Sequence, residues 1–267
     1  MATSLGRVID LHAHPLPGLD DGPAGLEEAL TMARAAADAG TRVMAATPHI
    51  DYRWRVAPQE LPAAVDAFNA QLAEAEIGLS VVQGGELAVS RLGELGPADL
   101  AAVRLGGGPY LLVECPHAVV GSAFGMMVFD LLAQGEHVLL GHPERSPIFL
   151  DDLETLDRLV RGGVLCSITA GSLVGSFGEP VRRFAVRLVA EGLVHDIASD
   201  AHDDVRRPPG LLAALEEADR DLPGLADQAE WYLEAAPEAI LAGDPLPPQP
   251  SPPTPRRRRR WLPTGRH

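Results

Sequence analysis

Imidazoles and carboxylates recur at the ends of apolar runs along this chain. VIDLHAH ends in His12 and His14, AATPH in His49, VVQGGEL carries Glu86 and YLLVEC carries Glu114. HVLLGHPER follows with His142, and VHDIASDAH with Asp200 and His202. One such terminus is ordinary. Its repetition through the first two hundred residues predicts many strands delivering ligands to one rim, as in a barrel with its active site at the carboxyl ends of its strands. Mixed imidazole and carboxylate donors suit Zn, Mn or Fe better than Ca or Mg.

The individual motifs carry different weight. In HAH, positions i and i+2 of an extended segment project the same way, so both rings can face one metal. By itself that pair is equally compatible with a structural role. Asp20, Asp21 and Gly22 read as a turn and helix cap, although a loop directly after HAH is well placed to return a carboxylate. Glu86 and Glu114 end apolar strands, where a carboxylate is costly unless paired or coordinated. GHPER couples His142 to Arg145. SDAH couples Asp200 to His202, with Arg206 and Arg207 close behind. Arginine beside a metal cluster suggests a phosphate or carboxylate held in bidentate fashion. His137 opens a strand and reads as structural, His195 as core or supporting, and His117 fits no pairing.

Positioning these groups requires a regular frame. Strand-like runs at Val8–Leu11, Val43–Ala46, Leu79–Gln83, Tyr110–Cys115, His137–Gly141, Val164–Thr169 and Val194–Ser199 alternate with helix-like stretches. Alternation of this kind predicts a parallel sheet, and the lack of polar alternation predicts strands buried on both faces. An open doubly wound sheet would gather ligands at one switch point. Here nearly every strand contributes one, which favours an α/β barrel. Between Gln83 and Tyr110 no element is well defined. Residues 1–243 form the expected domain. From 244 the chain is dense in Pro and then Arg, and reads as a disordered tail.

Composition narrows the class. With 46% hydrophobic and 22% charged residues, the chain is globular with a substantial core. Its net charge of −15 includes the basic cluster Arg256–Arg260 and Arg266, so the body is more acidic still. Such a body disfavours nucleic acid, whereas the tail is a candidate contact for anionic surfaces. All basic residues are Arg. Cys115 and Cys166 lie in apolar runs and read as buried free thiols of a reducing cytosol. No signal peptide or spanning segment is evident, so a cytoplasmic location is expected.

In their order and spacing, DLHAH, DDG, ATPH, GGEL, LVEC, GHPER and ASDAH resemble the PHP (polymerase and histidinol phosphatase) superfamily. The DDG after HxH and the RPP after SDxH resemble, within it, the bacterial tyrosine-protein phosphatases of the capsule and exopolysaccharide type. The resemblance spans roughly Val8 to Leu241. It implies a distorted (β/α)₇ TIM-like barrel of the PHP fold and up to three metal ions, commonly Mn, with Fe or Zn as alternatives. By motif, His12, His14, Glu86 and Asp200 bind one metal. Glu86 bridges to a second shared with Glu114 and His142, and Asp21, His49 and His202 hold the third. Arg145 and Arg207 match phosphate-binding arginines. The implied reaction is phosphomonoester hydrolysis by metal-activated hydroxide without a phosphoenzyme. The implied partner is a phosphotyrosyl protein, with a bacterial tyrosine kinase among the candidates. Rival readings are a small-molecule phosphatase such as one acting on histidinol phosphate, and a metal-binding interaction module with a basic docking tail. Arg53, Arg55 and Thr169 depart from the pattern and leave substrate preference open.

Overall fold

A computed structural model describes residues 6–54, 56–117 and 123–256. Among the described residues nine strands follow one another: β1 (Val8–Ala13), β2 (Thr41–Ala46), β3 (His49–Ile50), β4 (Ser80–Gln83), β5 (Glu86–Ala88), β6 (Tyr110–Glu114), β7 (His137–Gly141), β8 (Leu165–Thr169) and β9 (Asp196–Ala198). All neighbouring pairs are parallel. They form a three-stranded sheet in the order β1-β2-β4 and a six-stranded sheet in the order β3-β5-β6-β7-β8-β9. Helices on the crossovers include Leu26–Asp38, Leu61–Glu74, Ala123–Ala133, Leu153–Arg161, Glu179–Ala190 and Leu211–Ala218.

The two sheets are continuous through the chain. β2 and β3 are parted by Thr47-Pro48, where proline has no N–H to continue the ladder. The Pro48 carbonyl still accepts from Glu86 N at 3.0 Å. β4 and β5 are parted by Gly84-Gly85. A Cβ at Gly85 would stand 2.9 Å from the Val103 side chain, so only glycine allows the helix Pro97–Val103 to approach this closely. At the other edge, β1 meets the segment after β9 through a parallel bridge between Ala13 and Ala201. Asp200 N donates to the His12 carbonyl at 2.7 Å, and His14 N to the Ala201 carbonyl at 2.9 Å.

Two apolar clusters hold this frame. Ile9, Leu11, Val43, Ala45, Leu112, Leu139 and Leu165 pack together with Leu105 and Ile240. The second, larger cluster joins strand residues such as Met44, Val113, Leu140 and Ile168 to helix residues such as Met32, Phe68, Phe124, Leu159 and Leu188. Sequestering side chains of both kinds is what near-continuous apolar strands require. Among the described residues, no helix is long and apolar enough to cross a membrane.

The Pro-rich stretch departs from expectation. Residues 244–256, read as disordered, lie along the body as an extended strap. Leu246 packs on the core, and Pro253 is buried. Trp231 Nε1 donates to the Pro247 carbonyl, Gln249 Nε2 to Val194, and Gln228 Nε2 to Ser251. Proline pre-sets an extended backbone with little entropy left to lose, so a few tertiary contacts suffice to dock it. Arg257–Arg260, Trp261 and Arg266 lie outside the described residues, as does Arg55.

Candidate metal centre

The ligand-bearing residues converge at one end of the strands. β1 is irregular, with register shifts around Asp10–Ala13, and such a bulge re-aims side chains. His12 and His14 emerge there with ring centroids 5.5 Å apart. Two other site residues occupy left-handed backbone, His142 at φ 38° and Asp200 at φ 53°. That conformation costs roughly 1–3 kcal/mol for a non-glycine residue and clusters at functional sites.

Glu86 is the hub. Its Oε2 lies 3.3 Å from His12 Nε2, 3.5 Å from His14 Nε2 and 2.9 Å from His49 Nδ1. Despite these contacts, Oε2 and all three nitrogens have no hydrogen-bond partner, because none is aligned for one. The other oxygen, Oε1, meets His142 Nε2 at 2.6 Å. Asp200 Oδ1 stands 3.6 Å from both His12 Nε2 and His14 Nε2. A cation about 2.1 Å from four tetrahedral donors separates them by about 3.4 Å, which is the spacing of this buried set. A second set has Asp21 Oδ1 3.3 Å from both His49 Nε2 and His202 Nε2. In a third, Glu114 and His142 are joined by His117, with donor atoms within 4.8 Å of one another. His117, which the sequence left without a partner, stacks on His142 at 5.1 Å.

The charge distribution suits a cation at this position. Burial would raise Glu86, but the imidazoles of His12, His14 and His142 packed around it outweigh that and hold it well below the usual carboxylate range. Asp200 is likewise low, through His12 and Arg145 against its burial. Burial and then the charge of Glu86 push Glu114 up to about 7. A divalent cation would reverse that rise. Burial, then Arg145, brings His142 down to about 3, so its ring is neutral and its lone pair free for a metal. Against burial, the carboxylates of Asp21 and Glu86 raise His49 to about 10.

Supporting residues orient the ligands. Asp20 Oδ2 accepts from His14 Nδ1 at 2.6 Å and from His49 N at 3.0 Å. That fixes the ring so that Nε2 faces inward. Sequence reasoning singled out Asp21 of the pair; Asp20 shares the DDG signal and does the aligning. The Gly22 that follows is required, since a Cβ there would stand 2.4 Å from the His14 carbonyl. Beneath the cluster, Asp10 Oδ2 accepts from Ser199 Oγ at 2.5 Å and Oδ1 from Ser199 N at 3.0 Å, and Asp196 accepts from Ser167 Oγ. None of these was predicted, because a buried Asp inside a strand gives no spacing signal.

Arg145 NH2 and Arg207 NH2 both pair with Asp200 Oδ2, at 2.9 and 2.5 Å. Each keeps an unpartnered Nε, and Arg145 also stacks over Phe177 at 4.6 Å. Arg53 is exposed and stacks over Trp54 at 4.7 Å. His195 serves the core, its Nδ1 accepting from Cys166 N. Cys115 and Cys166 are free and buried, and burial pushes both thiols up, so neither is a ready nucleophile.

Residues 8–234 match the family described as Capsular polysaccharide synthesis, CpsB/CapC. The chain belongs to the CpsB/CapC family. The tyrosine-protein phosphatase YwqE of Bacillus subtilis is 31% identical over 252 residues, covering 94% of this chain and 98% of YwqE. The tyrosine-protein phosphatase CpsB of Streptococcus agalactiae is 26% identical over 243 residues, covering 88% and 98%. Among solved structures, one from work on YwqE of B. subtilis and CpsB of Streptococcus pneumoniae, described as unique metal-dependent tyrosine phosphatases, aligns with a TM-score of 0.79. Its identity is 32%, over 94% of this chain and all of that one. The CpsB/CapC match thus takes in every strand and every donor described above.

Proposed function

We propose that this chain is a metal-dependent protein-tyrosine phosphatase on a distorted (β/α)₇ barrel. The observation that carries the metal centre is the buried set His12, His14, Glu86 and Asp200, spaced for a cation and left with unpartnered donor atoms. Membership of a family whose relatives are named tyrosine-protein phosphatases supports the substrate class. Treating β2 with β3 and β4 with β5 as single interrupted strands, and joining β1 to β9 through Ala13–Ala201, supports the barrel. The catalytic domain is assigned to residues 1–243, with the strap laid along it.

His12, His14, Glu86 and Asp200 would hold one ion. Glu86, Glu114 and His142 would hold a second, and Asp21, His49 and His202 a third. The donor set suits Mn, with Fe or Zn as alternatives. When bound, such ions supply Lewis acidity and lower the pKa of a water at the site. Arg145 and Arg207 bind the phosphoryl oxygens through their guanidiniums and offset charge as it grows on them. Asp200 pre-sets both guanidiniums, so they need not reorganise when substrate arrives. As the P–O bond to the substrate breaks, tyrosine leaves as a phenolate that needs little protonation, so the reaction does not depend on a dedicated acid. Both thiols are buried, which removes a cysteinyl-phosphate intermediate, and direct transfer to water requires no phosphoenzyme. The natural substrate would be a phosphotyrosyl protein in the cytoplasm, a bacterial tyrosine kinase being the fitting class.

Phosphate release from a phosphotyrosyl peptide and from histidinol phosphate, compared side by side on Mn-loaded protein, tests the substrate class. Preference for the peptide is expected. Preference for histidinol phosphate would keep the site and remove the tyrosine-phosphatase reading.

A further inference from the structure

The three donor sets are unequal. The first has four protein donors, His12, His14, Glu86 and Asp200. By motif, the position around Glu114 takes Glu86, Glu114 and His142, with Glu86 shared; the donor atoms that cluster there are those of Glu114 with His117 and His142, and of Glu114 with Glu86 and His49. Directly after β6 the chain turns at Pro116 and presents His117 at that position. Its Nε2 lies 3.6 Å from Glu114 Oε1, outside hydrogen-bond range. Its ring lies nearly parallel to that of His142, at 14° and 5.1 Å. Donor atoms of Glu114, His117 and His142 all fall within 4.8 Å of one another. Around a cation with bonds of about 2.1 Å, donors stand about 3 Å apart at right angles and about 4.2 Å apart when opposed. The observed separation between Glu114 and His117 falls inside that range. His142 Nδ1 is buried and unpartnered, so the stack leaves donor capacity unused.

We propose that His117 is a fourth protein donor to the cation position formed by Glu86, Glu114 and His142. The inference rests on the metal-centre reading above and assigns to His117 a role that motif order alone does not. The side chain of His117 is 53% exposed, against 19% for Glu114 and 2% for His142. It therefore closes the position from the solvent side. Four protein donors make a closed coordination shell, whereas three leave a vacancy for water or substrate. The ion at this position should consequently be retained more tightly than three donors alone allow.

The test counts ions and affinities by competition with a chromophoric chelator, using Mn and Co, on the wild-type protein, His117→Ala, His117→Phe and His142→Ala. Phenylalanine keeps an aromatic ring to stack on His142 but offers no donor. Both His117 variants are expected to bind one ion at least about 10-fold more weakly, with the remaining ions unaffected. Co absorbance should show the loss of a nitrogen donor. If His117→Phe binds every ion as wild type does, His117 is a stacking neighbour and the proposal is overturned. That result, combined with loss of an ion in His142→Ala, would leave the metal-centre reading intact. A wild-type protein that binds no ion would overturn both.

Discussion

Asp196→Asn should stabilise the protein at neutral pH, by an amount that grows with pH. Asp196 is fully buried in β9, accepts from Ser167 Oγ and has its other oxygen unpartnered. Burial, reinforced by the negative charge of Asp10, raises its carboxyl from 3.8 to about 8. Below pH 3.8 the folded and unfolded states both carry the proton, and the group costs nothing. Between that value and about 8 the folded state keeps the proton while the unfolded state loses it, so stability falls as pH rises. Above about 8 the loss is complete. At about 1.4 kcal/mol per pH unit, the whole window amounts to roughly 5–6 kcal/mol as an upper bound. Asparagine mimics the protonated acid in shape and does not titrate. Urea unfolding of both proteins, metal-free, at intervals from pH 5 to 8.5 isolates the effect, because contributions from other groups largely cancel. The stability difference should widen by about 1.4 kcal/mol per pH unit up to pH 7.5 and then level. A difference that stays flat, or one that favours the wild type at pH 8, would refute the reasoning.

Arg207→Ala should raise KM for a phosphotyrosyl peptide by about 10-fold or more with a smaller fall in kcat, because Arg145 still pairs with Asp200; unchanged kcat/KM would remove Arg207 from phosphate binding. Truncation after Gly243 strips the strap and its bonds to Trp231, Gln228 and Val194. It should lower Tm by several degrees, about 2–4 °C for each kcal/mol lost, whereas truncation after Arg256 should leave Tm unchanged in the same calorimetric scan. His142→Gly should be more stable than His142→Ala by about 1 kcal/mol, since glycine adopts the left-handed backbone without strain; equal unfolding midpoints would show that the strain is not there.

The legible part of this protein was its rim. Strands buried on both faces read as apolar runs, and each donor stands at or just beyond the end of such a run, so His12, His49, Glu114 and His142 stood out. The helices over Leu26–Asp38 and Glu179–Ala190 carried plain helical periodicity. β3 and β5 were not legible, because strands of two and three residues are too short for any pattern. Choosing between Asp20 and Asp21 depended on the path of a turn fixed by Gly22 against the His14 carbonyl. His117 escaped because its partners come from β6 and from the residue after β7. The strap was misread because proline density signals either disorder or a pre-extended segment, and only surface contacts made by Gln249, Leu246 and Pro253 decide between them. Buried Asp10 and Asp196 belong to a polar layer under the rim that strand patterning does not announce.

The most direct test of the central claim is a metal titration of activity. Protein stripped by chelator is given Mn in measured steps, and phosphate release from a phosphotyrosyl peptide is followed beside a Glu86→Gln variant. Activity of the wild type should be absent at the start and return in proportion to bound Mn. The variant, lacking the carboxylate on which His12, His14, His49 and His142 converge, should stay inactive and bind fewer ions. Full activity in the stripped protein, or a Glu86→Gln variant as active as wild type, would contradict a hydrolase organised around this metal centre.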